Sequence, residues 1–302
     1  MSMNQIVIIS ANPKSGSYSR HSLVVELKSA VESLGFGCEV HTDLQQMASR
    51  CQELAQSGKL RTVVAAGGDG TASKVASLIP QDVPLTLFPT GSENLLAKFY
   101  SLTANPDLCA RSIQKLLTKP IDVMMVNGKL SLLMASIGFD AEVVRLVHQS
   151  RKSHVSKLTY WLAILGTLAR YQWPVLNVSI YDEKDQLIEN VSSGWVFVFN
   201  VPRYAAGLPI MSDAIENDGS LDIGVFDHGG IVRNMWYYWN VMRGKHQRIK
   251  QWRRFRSRSI TIEHTDAANV RGTNASCQAD GDWVCELPVA IQISNRKLEI
   301  VG

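Results

Sequence analysis

Long apolar runs are missing from this chain. No stretch of its 302 residues reaches the roughly 18 to 20 apolar positions a bilayer-spanning helix needs. The opening Met1-Ser2-Met3-Asn4-Gln5 has no basic segment followed by an apolar one, so no secretory leader is expected. Cysteines are few, odd in number and scattered (Cys38, Cys51, Cys109, Cys277, Cys285). They lack metal-ligand spacing and read as reduced thiols of a cytosolic protein. There is no Pro- or Ser-rich linker, no internal repeat and no low-complexity tract. Charged residues make up only 19% and hydrophobic ones 45%, which excludes disorder and provides a sizeable core. The net charge of +4 is too mild to imply a partner.

The chain is organised around Val63-Val64-Ala65-Ala66-Gly67-Gly68-Asp69-Gly70-Thr71. An apolar run ends in glycines, one acid and one hydroxyl. Ala72, Val75, Ala76 and Ile79 follow at helical spacing. Strand, tight turn and helix start together suit a phosphate: glycines open the backbone, and the helix start offers unpaired N–H groups. A carboxylate there suits a divalent metal held between it and phosphate oxygens. The same residues also suit a plain glycine turn in which Asp69 caps a helix.

Around this stretch, strands and helices alternate. Strands are expected at Ile6–Ile9, Cys38–Thr42 and Pro84–Phe88, with helices from Leu23 to Gly35, to Gln56, and from Asn94 to Tyr100. That alternation implies a mostly parallel, doubly wound sheet, with ligands at the carboxyl ends of its strands. The loops at Asn12–Gly16, Thr42, Gly67–Thr71 and Thr90–Asn94 all fall there. Beyond Ile121 the texture is β-rich. Ile121–Val126 and Leu130–Ser136 flank Asn127-Gly128, a strong hairpin signal. Further strands are expected at 176–181, 186–188, 195–199, 221–226, 259–263 and 283–287, with helices at Ala141–His148, Lys157–Tyr171 and Ile231–Arg243. We therefore expect an α/β nucleotide-binding domain over 1–125 and a β-rich, sandwich-like acceptor domain over 126–289. Residues 290–302 have the option of returning to the first domain, and a cleft is expected between the two.

Gly67-Gly68-Asp69-Gly70-Thr71 resembles the signature of the diacylglycerol kinase catalytic domain family, which includes bacterial lipid kinases and the sphingosine and ceramide kinases. NAD kinases and phosphofructokinases carry related motifs. The resemblance covers nearly the whole chain. Asn12-Pro13-Lys14-Ser15-Gly16 resembles the family's first nucleotide loop. Pro89-Thr90-Gly91-Ser92-Glu93-Asn94-Leu95-Leu96-Ala97 resembles its third, with Ser92 in place of a threonine. Leu95 stands where the family has an Asp near the metal, and Glu93 is the candidate substitute. Lys74 also departs from the family's Asn-Glu. Asp122 resembles another acid near the metal. Gly138-Phe139-Asp140-Ala141 matches a family tetrapeptide. Ile215-Glu216-Asn217-Asp218-Gly219-Ser220 resembles a structural Mg²⁺ segment, which implies ligation by Asp218 and the carbonyls of Ile215 and Ser220; a bare turn is the other reading. Ala279-Asp280-Gly281-Asp282 resembles the family's Asp-Gly-Glu, which implies Asp282 as the base that takes the acceptor's proton, with Asp280 beside it.

The resemblance thus implies an ATP- and Mg²⁺-dependent kinase of a lipid hydroxyl, with catalytic Asp69, Asp280 and Asp282. Nucleotide contacts fall at residues 12–16, Thr42, Gly67, Gly68, Asp69, Gly70, Thr71, Ser92, Glu93 and Asn94. Metal contacts fall at Asp69, Asp122, Asp218, Ile215 and Ser220. An NAD kinase is one alternative, and a catalytically weakened nucleotide-binding protein is the other. Trp236-Tyr237-Tyr238-Trp239 followed by nine Lys, Arg and His residues to Arg258, with no acid between, suits transient contact with a membrane surface. Leu158–Tyr171 is a second, weaker candidate. No nucleic-acid partner is expected, and a homodimer through an edge strand is left open. The location expected is cytoplasmic, with the membrane periphery as an option.

Overall fold

The computed structural model describes residues 5–11, 18–149, 164, 166–168, 171, 173–202, 208, 210–265 and 275–302. The expected loop 12–16 and most of the expected helix 157–171 lie outside the described residues. The chain divides into two units, residues 1–123 with 295–302, and residues 124–294.

In the first unit, β1 (Ile6–Ala11), β2 (Gly37–His41), β3 (Leu60–Gly67) and β4 (Leu85–Pro89) lie in the order β2-β1-β3-β4. All are parallel, and the chain's last strand adds Ile300 and Val301 alongside Leu85 and Thr86. The order reverses at β1, because the chain leaves it for β2 and then returns to its other side for β3. Ligands in such sheets gather at that switch, beyond the carboxyl ends of the strands. Gly67 ends β3 there. β3 is buried from Thr62 to Gly67, as a parallel strand covered on both faces must be.

The helices are α1 (Tyr18–Ser33), α2 (Leu44–Gln56), α3 (Asp69–Leu78), α4 (Leu95–Phe99) and α5 (Pro106–Lys115). Leu27 and Val31 of α1 pack with Ala110 and Ile113 of α5 over Val7, Ile9 and Val64. Asp43 caps α2 by accepting from the N–H groups of Gln45 and Gln46 at 2.9 and 2.8 Å. Asn105 caps α5, with Pro106 at its first position, a start signal the sequence reading passed over. Arg296 donates to the carbonyls of Ala76 and Ile79 at 3.0 and 3.3 Å, which closes the carboxyl end of α3.

The second unit is a two-layer β structure. It contains β5 (Thr118–Val126, whose last residues belong here), β6 (Lys129–Ser131), β7 (Met134–Ile137), β8 (Leu176–Tyr181), β9 (Leu187–Ser193) and β10 (Trp195–Phe199). β11 (Leu221–Phe226), β12 (Trp252–Ser257), β13 (Ser259–His264), β14 (Ser276–Ala279), β15 (Asp282–Glu286) and β16 (Val289–Val301, whose first residues belong here) complete it. One layer runs β12-β11-β10-β7-β14-β15. The other pairs β9 with β8, β8 with β13 and β13 with β16. β8 alternates buried and half-buried positions, the pattern of a strand with one face in the core. Val196, Val198, Ile223 and Val225 meet Val178, Ile180, Ile260 and Ile291 in that core. The helices α6 (Phe139–Gln149) and α7 (Ile231–Met242) also belong to this unit.

Asn127 and Gly128 form the expected tight turn, at φ 45° and 77°. The returning strand is shorter than expected. It stops at Ser131, and after Leu132-Leu133 the chain enters β7 in the other layer. The N–H groups of Leu132 and Leu133 go to a carboxylate described below, not to a ladder.

The five cysteines are free thiols, but Cys277 and Cys285 oppose each other across β14 and β15. Hydrogen bonding from Cys277, assisted by Asn127, draws the Cys285 thiol below the usual thiol range. Burial pushes Cys38, Cys51 and Cys109 up to about 12. Iodoacetamide is therefore expected to alkylate Cys285 first, with a rate midpoint below that of an unperturbed thiol, read by peptide mapping. A midpoint near the unperturbed value of about 8.5 would contradict this assignment.

Candidate active site

The glycines of the first unit serve a close approach between two loops. A Cβ on Gly91 would stand 2.4 Å from the Cα of Gly68, and one on Gly67 would stand 2.3 Å from the Thr71 hydroxyl. The N–H of Thr90 donates to the Gly67 carbonyl at 3.1 Å, which fixes the loops to each other. α3 begins at Asp69, three residues earlier than the apolar spacing suggests, with Gly68 as its cap. Thr71 and Ala72 donate back to the Gly68 carbonyl at 2.9 and 3.1 Å.

Asp69 does cap a helix, but it is the next one. Its two oxygens accept from the N–H groups of Leu95 and Leu96 at 2.9 and 3.0 Å, at the start of α4. Asn94, the residue before α4, has φ 52° and gives no side-chain cap. Its amide instead donates to the Gly91 carbonyl at 2.9 Å, while its Oδ1 is buried without a hydrogen-bond partner. A small recess beside Asp69 is lined by Gly67, Gly68, Pro89, Asn94 and Leu96. Gly70 and Thr71 are half-buried in the first turn of α3, Ser92 and Glu93 are exposed, and Thr42 is exposed after β2. Asn12, Pro13, Lys14, Ser15 and Gly16 lie outside the described residues, directly after Ala11, which pairs with Ala66.

The acids expected at a metal are placed apart in role. Asp69 is an anionic oxygen donor at the mouth of the two loops, the chemistry a divalent cation that arrives with phosphates takes. Leu95 is buried and offers no oxygen. Asp122 is buried and answered by the Lys297 ammonium at 3.3 Å. Among the described residues, no three His, Cys, Asp or Glu side chains come together as a metal-binding group. In the second expected metal segment the carboxylate of Asp218 is engaged by neighbouring donors. Asp218 accepts from the Arg256 guanidinium and from the N–H of Ser220, and Ile215 is exposed. Arg254 and Arg256 also flank the buried Asp222, at 3.6 and 3.7 Å. Burial pushes the Asp222 carboxyl up, against the pull of both guanidiniums.

In the second unit, Asp280 and Gly281 form the two-residue turn between β14 and β15, at φ 51° and 83°. The Asp280 carboxylate accepts from the Ser131 hydroxyl at 2.7 Å and from the N–H groups of Leu132, Leu133 and Met134 at 2.9, 2.9 and 3.2 Å. This carboxylate takes the donors left at the break between β6 and β7. A buried polar chain continues from the turn. The N–H of Gly281 donates to Gln278 Oε1 at 3.0 Å, and Gln278 Nε2 donates to the Ser136 hydroxyl at 2.6 Å. Ser136 donates to Asp140 at 2.5 Å, and the Trp195 indole donates to the other Asp140 oxygen at 2.6 Å. The Gly138–Ala141 and Ala279–Asp282 segments are thereby joined through Ser136 and Gln278, two residues that sequence reading passed over. Alternating polar side chains on otherwise apolar strands were the signal available. Asp282 opens β15 opposite Ala279, half-buried. Phe139 stacks on Trp173, with ring centres 5.2 Å apart.

Asp280→Ala would strand several N–H groups, and a loss of about 3 kcal/mol or more in urea unfolding is expected. A loss under about 1 kcal/mol would remove the bracing role. Asp69→Ala should cost about 0.5–2 kcal/mol as a lost cap, whatever its effect on chemistry. An unchanged melting curve would contradict that.

Residues 6–126 match the diacylglycerol kinase catalytic domain, and residues 134–302 match the YegS C-terminal NAD kinase beta sandwich-like domain. A protein of Mycobacterium tuberculosis named "Diacylglycerol kinase" is 26% identical over 246 residues, covering 79% of this chain and 76% of that protein. A Pseudomonas aeruginosa protein named "Probable lipid kinase YegS-like" is 32% identical over 118 residues, 38% of this chain and 39% of that one. A crystal structure described as a diacylglycerol kinase from Bacillus anthracis str. Sterne aligns with a TM-score of 0.65 at 17% identity, covering 99% of this chain and 96% of that one. That last likeness concerns the fold, and it agrees with the α/β unit followed by a β sandwich. Taken with the loop geometry, the matches establish that this chain belongs to the diacylglycerol kinase catalytic domain family, in the branch that carries a YegS-type C-terminal sandwich.

Proposed function

We propose that this protein is a lipid kinase that transfers the γ-phosphoryl group of ATP, with Mg²⁺, to the hydroxyl of a lipid alcohol. The observation that carries the reading is Asp69. It is an acid fastened by two amides beside two glycine loops, at the switch point of a parallel sheet, in a chain of the diacylglycerol kinase catalytic family. In this reading the loops 67–71 and 90–94 receive the phosphates, and the start of α3 adds N–H donors. A bound Mg²⁺ would neutralise charge on the phosphates, with Asp69 as its protein ligand. Asp282 accepts the proton of the acceptor hydroxyl, the freed oxygen bonds to the γ-phosphorus, and the bond to the β–γ bridging oxygen breaks to release ADP. Asp280 holds the turn that carries Asp282. Most of the rate comes from positioning and charge neutralisation, and a placed base adds about 10²- to 10⁴-fold.

A second reading is favoured by one observation: Leu95 is buried where the family places a carboxylate. In that reading nucleotide binds and little is turned over.

The test is transfer of label from ATP to a panel of diacylglycerol, monoacylglycerol, phosphatidylglycerol, ceramide and sphingosine in mixed micelles, with NAD in parallel. Label in a lipid product supports the proposal, and label in NAD alone overturns it. Asp282→Asn is expected to lower kcat by at least about 10²-fold while nucleotide affinity stays unchanged. Normal turnover in that variant would remove the assigned base. Leu95→Asp is expected to raise turnover markedly only under the second reading.

A further inference from the structure

The helix α7 has two faces that contradict the habit of a surface helix. Asn234, Tyr237 and Val241 are buried, spaced so that they share one side. Tyr237 stacks on Phe226 with ring centres 4.5 Å apart, and Asn234 donates to the Gly229 carbonyl at 2.5 Å. The helix is therefore firmly seated. The opposite side carries Val232, Met235, Trp236, Trp239 and Met242, exposed by 80, 51, 44, 60 and 44%. Among the described residues nothing packs over this stripe, and contiguous exposed apolar surface marks an interaction site.

The charges around it say what kind. From His228 to Ile262 there is no acidic residue. The basic run that follows the helix divides in two. Arg253 pairs with Asp227 at 2.9 Å, Arg254 with Asp213 at 2.9 Å, and Arg256 with Asp218, so these guanidiniums are answered within the protein. Arg243, Lys245, Arg248 and Lys250 are exposed, and no acid is paired with them among the described residues. Arg243 lies over the Trp239 ring at 5.6 Å, so cationic and apolar groups occupy one surface. Indole rings at the headgroup level, aliphatic side chains below them and bases beside them are what an anionic lipid surface accepts.

We propose that the exposed face of α7, with Arg243, Lys245, Arg248 and Lys250, is the surface by which this protein docks on an anionic bilayer. The proposal rests on the lipid-acceptor reading for its purpose but not for its evidence, and its test involves no catalysis. The full chain is sedimented with phosphatidylcholine vesicles, with and without phosphatidylglycerol, at low and high salt. Binding is expected only with phosphatidylglycerol, weakening with salt. Trp236→Ser with Trp239→Ser should reduce it at least about tenfold. Arg243→Gln and Lys245→Gln should each reduce it about fivefold at low salt. These side chains are exposed, so melting temperatures should stay near that of the parent. Quenching of tryptophan emission by acyl-brominated lipid is a second readout, expected in the parent and reduced in the double Trp variant. Equal binding to neutral vesicles, full binding by the double Trp variant, or self-association through this face without vesicle binding would each overturn the proposal. Docking without phosphorylation of any lipid would leave it standing and remove the kinase reading instead.

Discussion

One carboxylate holds together the loops at the carboxyl end of the first unit's sheet. Asp69 follows β3, yet its oxygens are bound by the first amides of α4, which follows β4. Charge-assisted bonds of this kind are stronger than neutral ones, and a negative charge at a helix start is favoured by the helix dipole as well. The interaction draws the loop after β3 against the loop after β4 until Gly91 meets Gly68 with no room for a side chain. The shape of both loops, and the recess beside them, depends on that tie. The acid at the centre of the glycine motif is thus a structural fastening between two loops.

The second unit uses the same device. Asp280 sits in a two-residue turn and collects three consecutive amides and one hydroxyl from the crossing between layers. A strand that changes sheets must leave amides without ladder partners, and such amides are costly unless something accepts them. One carboxylate does so, and the turn that supplies it carries Asp282. The buried chain from Gly281 through Gln278 and Ser136 to Asp140 and Trp195 then makes the turn and the start of α6 one polar assembly. Such a network rigidifies when every member is satisfied.

Local patterns were legible in the sequence. The apolar strand before Gly67, the Asn127-Gly128 turn and the alternation of β8 each depend on neighbours in the chain, so the α/β unit and the β-rich unit could be read in outline. What could not be read required a distant partner. The break after Ser131 needs Asp280, some 150 residues away in the chain. The capping of α4 by Asp69 needs two glycine loops to touch. The pairing of Asp218 with Arg256, from another strand, has no local sequence signal. The run of bases to Arg258 reads as one patch, whereas ion pairing splits it into internal and outward-facing groups. β14 lacked a clear signal because its polar Ser276 and Gln278 are satisfied by Glu142 and Ser136, far away in sequence.

The tie at Asp69 is tested most directly by hydrogen exchange at the amides of Leu95 and Leu96, in the parent chain and in Asp69→Asn. α4 has only five residues, and its first amides have no partner within the helix. If the carboxylate holds them, both exchange slowly in the parent and at least about tenfold faster in the variant, while amides in the middle of β3 do not change. Equal rates in the two proteins would mean that the loops are held by something else, and the account of this site would fail at its base.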